Sequence, residues 1–241
     1  MTDPSQTTLD SAVSREKVRA RFVKGGELRF VSHHDLLRCF ERMLRRAEIP
    51  VCQTQGFNPR PRLVFALSLP LGVIGCEEVV EIDLVPETFS KISVDEIQKR
   101  LSQVAPPGLR ILSCQEIPFR EKAHVQSMTY RLRLSTIPEA LGPRIEELMR
   151  AEELWITRTT MKKNRTGERT SQVNVRPFLR DVKLSGDAVE IQLWLRPEGT
   201  ARPLEILELL QLRDLYEAGA ILERSRLELR EEEHANQRCN E

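Results

Sequence analysis

Ser32, His33 and Asp35 are the residues whose types and spacing come nearest to a reactive group. A serine, a histidine and a carboxylate invite a relay reading, yet residues this close in one segment do not place three side chains in line. Ser32 stands immediately before an apolar-periodic run, and Asp35 follows three positions later. That spacing reads as a helix N-cap with a capping-box partner. The positive end of the helix dipole favours a neutral imidazole at His33, suited to packing, to contact with a phosphate or, as a weak catalytic candidate, to proton transfer. No H-E-x-x-H run is present. Cys39, Cys52, Cys76, Cys114 and Cys239 lie too far apart for zinc or dithiol motifs. Free, buried thiols in a reducing cytoplasm are expected, with no metal and no cofactor. Gly25-Gly26 lacks the spacing of a phosphate loop. Glu77, Glu78, Glu81 and Asp83 read as an exposed strand face.

The stronger signal is positive charge. The net formal charge is only +1, but it is segregated. Residues 15–65 carry twelve Arg/Lys against five Asp/Glu, and residues 158–183 carry eight against two. Residues 184–241 carry thirteen Asp/Glu against seven Arg/Lys. Within the first basic segment, Arg29 precedes a helix on which Arg38, Arg42 and Arg45 form a stripe, with Arg46 beside it. Glu41 can pair with Arg38 and Arg45, which makes this a solvated helix face; alternatively the surplus arginines contact phosphates. QGFNPRPRLVF (residues 55–65) is a stiff loop in which Gly56 permits a bend and two prolines fix the path. It presents Arg60 and Arg62, with Phe57 and Asn58 as anchor or base contact. The second basic feature is a Gly-containing hairpin tip bearing Lys162, Lys163, Arg165 and Arg169, followed by Arg176. It reads as phosphate contact, solubilising loop or docking surface.

The elements that must carry these residues follow from hydrophobic period. Residues 17–118 give β-α-β-β-α-β, with strands at 17–24, 63–69, 78–85 and 109–117. Helices are expected at 33–47 and 94–104. Residues 119–127 form a linker, and a similar order recurs over 128–231. There a helix spans 138–153, a strand spans 154–160, and another runs unbroken over 173–182 through Pro177. The expected fold is α+β, two tandem ferredoxin-like (βαββαβ) lobes. Disordered tails are expected at 1–16 and 232–241. The start, MTDPSQTTLDSAVSREK, is not a secretory signal, and no run approaches a membrane span, so a cytoplasmic protein is expected.

The stretch GGELRFVSHHDLLRCFERMLRRAEIPVCQTQGFNPRPRLVFALSLPLGV resembles the opening of the uncharacterised bacterial radical-SAM-linked domain family. Leu28, Arg29, Phe30, Ser32, His33, Asp35, Leu36, Arg45, Arg46, Ala47, Gln55, Gly56, Phe57, Asn58, Pro59 and Pro61 match its pattern, and VNVRPFL is similar further on. Where that family often has a histidine after Asn-Pro, this chain has Arg60. The resemblance implies a domain that stands alone or follows a B12-binding radical-SAM enzyme, in the setting of RNA modification or maturation. The chain lacks the C-x-x-x-C-x-x-C run of the radical enzyme itself. The expectation is a non-catalytic RNA-binding or substrate-presenting module for tRNA or rRNA. A docking partner of a separate radical-SAM protein is the second reading, and an RNA-processing enzyme using His33 the third.

Overall fold

The computed structural model describes residues 15–161 and 168–230. The first half contains β1 (Glu16–Lys24), α1 (His33–Arg46), β2 (Leu63–Phe65), β3 (Ile74–Leu84), α2 (Val94–Val104) and β4 (Leu109–Glu116). β1 alternates Val18, Ala20 and Phe22 against Lys17, Arg19 and Arg21, which puts the apolar set on one face of the pleat. These residues and Val80, Ile82 and Leu84 of β3 are buried against Leu36, Phe40, Met43 and Leu44 of α1, and Ile97 and Leu101 of α2. Phe22 and Phe40 meet edge to face at 5.0 Å. Ser32 caps α1 by accepting from the Asp35 N–H at 3.2 Å, while its hydroxyl donates to the Asp35 carboxylate at 2.7 Å. Ser93 caps α2 in the same way, accepting from Glu96 N.

The second half contains β5 (Val125–Arg133), α3 (Leu141–Arg150), β6 (Trp155–Met161), β7 (Glu168–Asn174), β8 (Leu179–Ser185) and β9 (Ala188–Trp194). It closes with α4 (Pro203–Leu209), α5 (Arg213–Glu217) and β10 (Leu222–Leu229). β6 and β7 form a hairpin of their own outside the main sheet. The strand expected over 173–182 is therefore two strands. A 3-10 turn at Arg176–Phe178 divides them, because Pro177 offers no N–H to a ladder. The third helix is also shorter than expected.

One sheet unites the halves, in the order β4-β1-β3-β10-β5-β9-β8, with β2 pairing β3 beside this path. Each half repeats the same arrangement: its last strand flanks its first, and the strand after that is its third. Where two tandem lobes were expected, a single α+β sheet is found, carrying two core clusters. The join is a short parallel pairing, Glu223 opposite Ile74 and Arg224 opposite Gly75.

A buried ion pair reinforces the join. Arg224 is 1% exposed. Its Nε donates to Glu78 Oε1 at 2.8 Å, and its Nη2 also donates to that carboxylate. Nη1 reaches the Ser68 carbonyl at 3.1 Å. The register shift opposite Phe22 and Lys24 puts an extra residue in β3 between Gly75 and Glu78, and a Cβ added at Gly75 would lie 2.4 Å from Glu78 Cγ. Lys24 is buried nearby and donates to the Val31 carbonyl at 2.8 Å. Desolvation holds its ammonium below the usual lysine range, against the opposing pull of Glu78. Breaking a buried pair on one side leaves an uncompensated charge, at a cost of about 3–5 kcal/mol. Arg224→Met is expected to lose that much stability in urea denaturation, and adding Glu78→Gln is expected to restore part of it. Gly75→Ala should destabilise by displacing Glu78.

Candidate recognition site

The inward stripe of α1 leaves Arg38, Arg42, Arg45 and Arg46 on its outer face, all exposed. Arg38 pairs with Asp35 at 3.4 Å. Arg42, Arg45 and Arg46 make no hydrogen bond or ion pair with the described residues. The expected pairing of Glu41 with Arg38 and Arg45 does not occur; Glu41 Oε1 is buried with no hydrogen-bond partner. Arg42 and Arg46 border a shallow cavity of about 570 Å³ against residues 103–107.

The stiff loop projects beside this helix. Its base is a bridge of Gln53 to Pro61, tightened by Thr54 N donating to the Arg60 carbonyl at 2.8 Å and by Arg60 N donating to Thr54 Oγ1 at 3.1 Å. Gly56 takes φ 144°, a value that L side chains rarely adopt. Phe57 is fully exposed and anchors nothing, and Asn58 and Arg60 are exposed with it. Arg62 instead pairs with Asp83, 3.3 Å away. A small cavity of about 330 Å³ lies between Arg45 of α1, Glu48 just past its end, and Pro59 and Pro61, so the arginine face and the loop adjoin.

A larger cleft of about 840 Å³ lies along β2. Leu37 and Glu41 line it from α1, Arg60 and Pro61 from the loop, and Phe119, Arg120, Lys122 and His124 from the segment joining the halves. Charges beneath it form a dense network. Arg19 donates from Nε and Nη2 to Glu81 Oε1 at 3.1 and 2.7 Å, and its Nη2 lies 3.2 Å from Glu121. Lys17 donates to the Glu121 carbonyl at 2.8 Å and sits 5.3 Å from the Phe119 ring centroid. Glu81, expected on an exposed face, is 7% exposed because the joining segment covers it. Arginine and lysine meet both the Glu81 and the Asp83 carboxylates.

The remaining expected site residues are scattered. His33 is exposed, stands edge-on to Phe65 at 5.3 Å, and lies outside the cleft lining. Serine, histidine and aspartate form no relay, since the Ser32 hydroxyl donates to Asp35 directly. Arg29 lies over the Phe30 ring at 4.6 Å. Arg176 is fully engaged with carbonyls: Nε with Ala151 at 2.8 Å, Nη1 with Leu179 at 3.2 Å and Nη2 with Met149 at 3.2 Å. It ties the end of α3 to the turn before β8. Lys162, Lys163, Arg165 and the side chain of Arg169 lie outside the described residues. Sequence reasoning did not find Val64, Arg120 or Lys122, whose signal is spread over two separate segments.

Cys39, Cys52, Cys76 and Cys114 are free, and each is half-buried rather than buried. Among the described residues no group of three or more His, Cys, Asp or Glu is placed to hold a metal ion. No helix of the described residues is long and apolar enough to cross a membrane.

Fold and cleft define an α+β protein built on one mainly antiparallel sheet. The chain belongs to the DUF2344 family, described as an uncharacterized protein conserved in bacteria, whose model matches residues 17–206. No curated protein matches it.

Burial pushes the Cys114 thiol up to about 12. The thiolate is the nucleophile, so Cys114 stays protonated and inert near neutral pH. Iodoacetamide labelling of the native protein at pH 8, followed by peptide mass analysis, is expected to modify Cys114 slowest of these four. Denaturant should remove the difference.

Proposed function

We propose that this chain is a non-catalytic RNA-recognition module, holding a tRNA or rRNA backbone on the outer face of α1 in support of RNA modification or maturation. The observation that carries the reading is the set of three exposed arginines, Arg42, Arg45 and Arg46, without ion-pair partners among the described residues. Guanidinium forks suit phosphate oxygens, and unpaired ones exchange only counterions on binding. Phe57 and Asn58 stand on the adjoining loop, where an exposed ring offers a stacking face to an unpaired base. We also read each half of the chain as a ferredoxin-like unit, the two fused edge to edge; the repeated strand arrangement supports this.

A second reading is favoured by the cleft along β2. There the chain docks a separate protein, for which the sequence resemblance suggests a B12-binding radical-SAM enzyme.

Titration of a structured tRNA at several salt concentrations tests the first reading. Each phosphate contact contributes about 0.7–0.9 to the slope of log affinity against log salt. Replacing Arg42, Arg45 and Arg46 with Gln is expected to weaken binding and flatten that slope by about 2. Phe57→Ala should weaken binding without changing the slope. Absence of binding at low salt, or a slope indifferent to the three substitutions, would remove the reading.

A further inference from the structure

We infer that the free edge of β2 is an acceptor for an extended acidic segment of a partner protein, which adds a strand to the sheet within the cleft. This goes beyond the RNA reading and uses different residues.

The backbone register identifies the open groups. Among the described residues β2 pairs only with β3, Leu63 opposite Ile82, Val64 opposite Glu81 and Phe65 opposite Val80. Asp83 N donates to the Arg62 carbonyl and Ala66 N to the Val79 carbonyl, both at 3.0 Å. In an antiparallel ladder hydrogen-bonded pairs alternate with non-bonded ones. The bonded positions on β2 are therefore 62, 64 and 66, and the N–H and C=O groups of Leu63 and Phe65 point away from β3. Among the described residues they have no partner, and they present a row of donors and acceptors, the template for strand addition.

The cleft follows that edge. It touches Leu63, Val64, Phe65 and Ala66 in succession. Side chains of a strand alternate between faces, so only the edge itself presents all four to one space. α1 walls one side through Leu37 and Glu41, and the joining segment walls the other through Phe119 and Lys122. Sheet edges in native proteins are commonly blunted by charge, proline or a covering element. Here Val64, at the centre of the edge strand, is 66% exposed instead.

The chemistry of the walls selects the occupant. Apolar Leu37, Val64 and Phe119 suit an aliphatic side chain on the added strand. Arg120 and Lys122 are exposed on the rim and make no ion pair among the described residues, so flanking Asp or Glu residues are complementary.

The probe is a short synthetic peptide alternating valine and threonine between flanking aspartates, added to the full chain and followed by amide exchange in NMR. Binding with slowed exchange at Leu63 and Phe65 is expected. A peptide N-methylated at alternate amides should bind about tenfold more weakly. So should Val64→Arg, and separately the pair Arg120→Glu with Lys122→Glu, in proteins whose circular dichroism is unchanged. The Arg42, Arg45 and Arg46 substitutions should leave peptide binding intact, which separates failure here from failure of the RNA reading. No binding of the peptide, or binding without protection at Leu63 and Phe65, would overturn the proposal. So would protection of the same amides by the tRNA. Protection in the peptide-free protein would overturn it too, whether it rises with protein concentration, as for a second copy, or disappears when the chain ends at Arg230, as for its own acidic tail.

Discussion

The ion pair of Glu78 with Arg224 sits where the two halves of the sheet meet, and the chain that leaves β2 beside the cleft is bound to it. β3 and β10 share only two register positions. Beyond them β3 takes β2 as its neighbour, and the cleft along β2 lies beyond that join. A guanidinium there satisfies a carboxylate and two carbonyls of the chain leaving β2, Leu67 and Ser68. Desolvating two charges is expensive, and the geometry compensates by giving nearly every donor a partner. The pair thus ties the chain leaving β2 to β10.

Charge is handled in opposite ways on the two faces of the first half. Behind the sheet, Lys17, Arg19, Glu81 and Asp83 neutralise one another under the joining segment. On α1, Arg42, Arg45 and Arg46 face solvent with nothing described to neutralise them. A cation within a network is already satisfied, whereas an unpaired one remains available for a phosphate or carboxylate. That contrast, rather than the total number of basic residues, is what supports the proposed reading of the outer face of α1.

Local signals in the sequence were read correctly where a single element decided the outcome. Ser32 and Ser93 cap the expected helices, and the period of Leu36, Phe40 and Met43 buries the expected stripe. The strand position of β1 follows its alternation. Long-range pairing was not legible. Glu78 and Arg224 are separated by nearly 150 positions, and neither has a local pattern that names the other. Opposed charges on Lys17, Arg19, Glu81 and Asp83 did carry a hint of the register that joins β1 to β3, but nothing local showed that residues 119–124 would cover them. Arg176 was read as a binding residue from its sign alone; in the fold its donors belong to backbone carbonyls. The cleft escaped notice because its walls come from α1, the loop and the joining segment.

Chemical-shift mapping of the isotopically labelled chain during titration with a structured tRNA at low salt tests the central claim most directly. The account predicts shifts concentrated on residues 38–46 and on the 55–62 loop, reversed when salt is raised. Shifts confined elsewhere, or none at all, would contradict it.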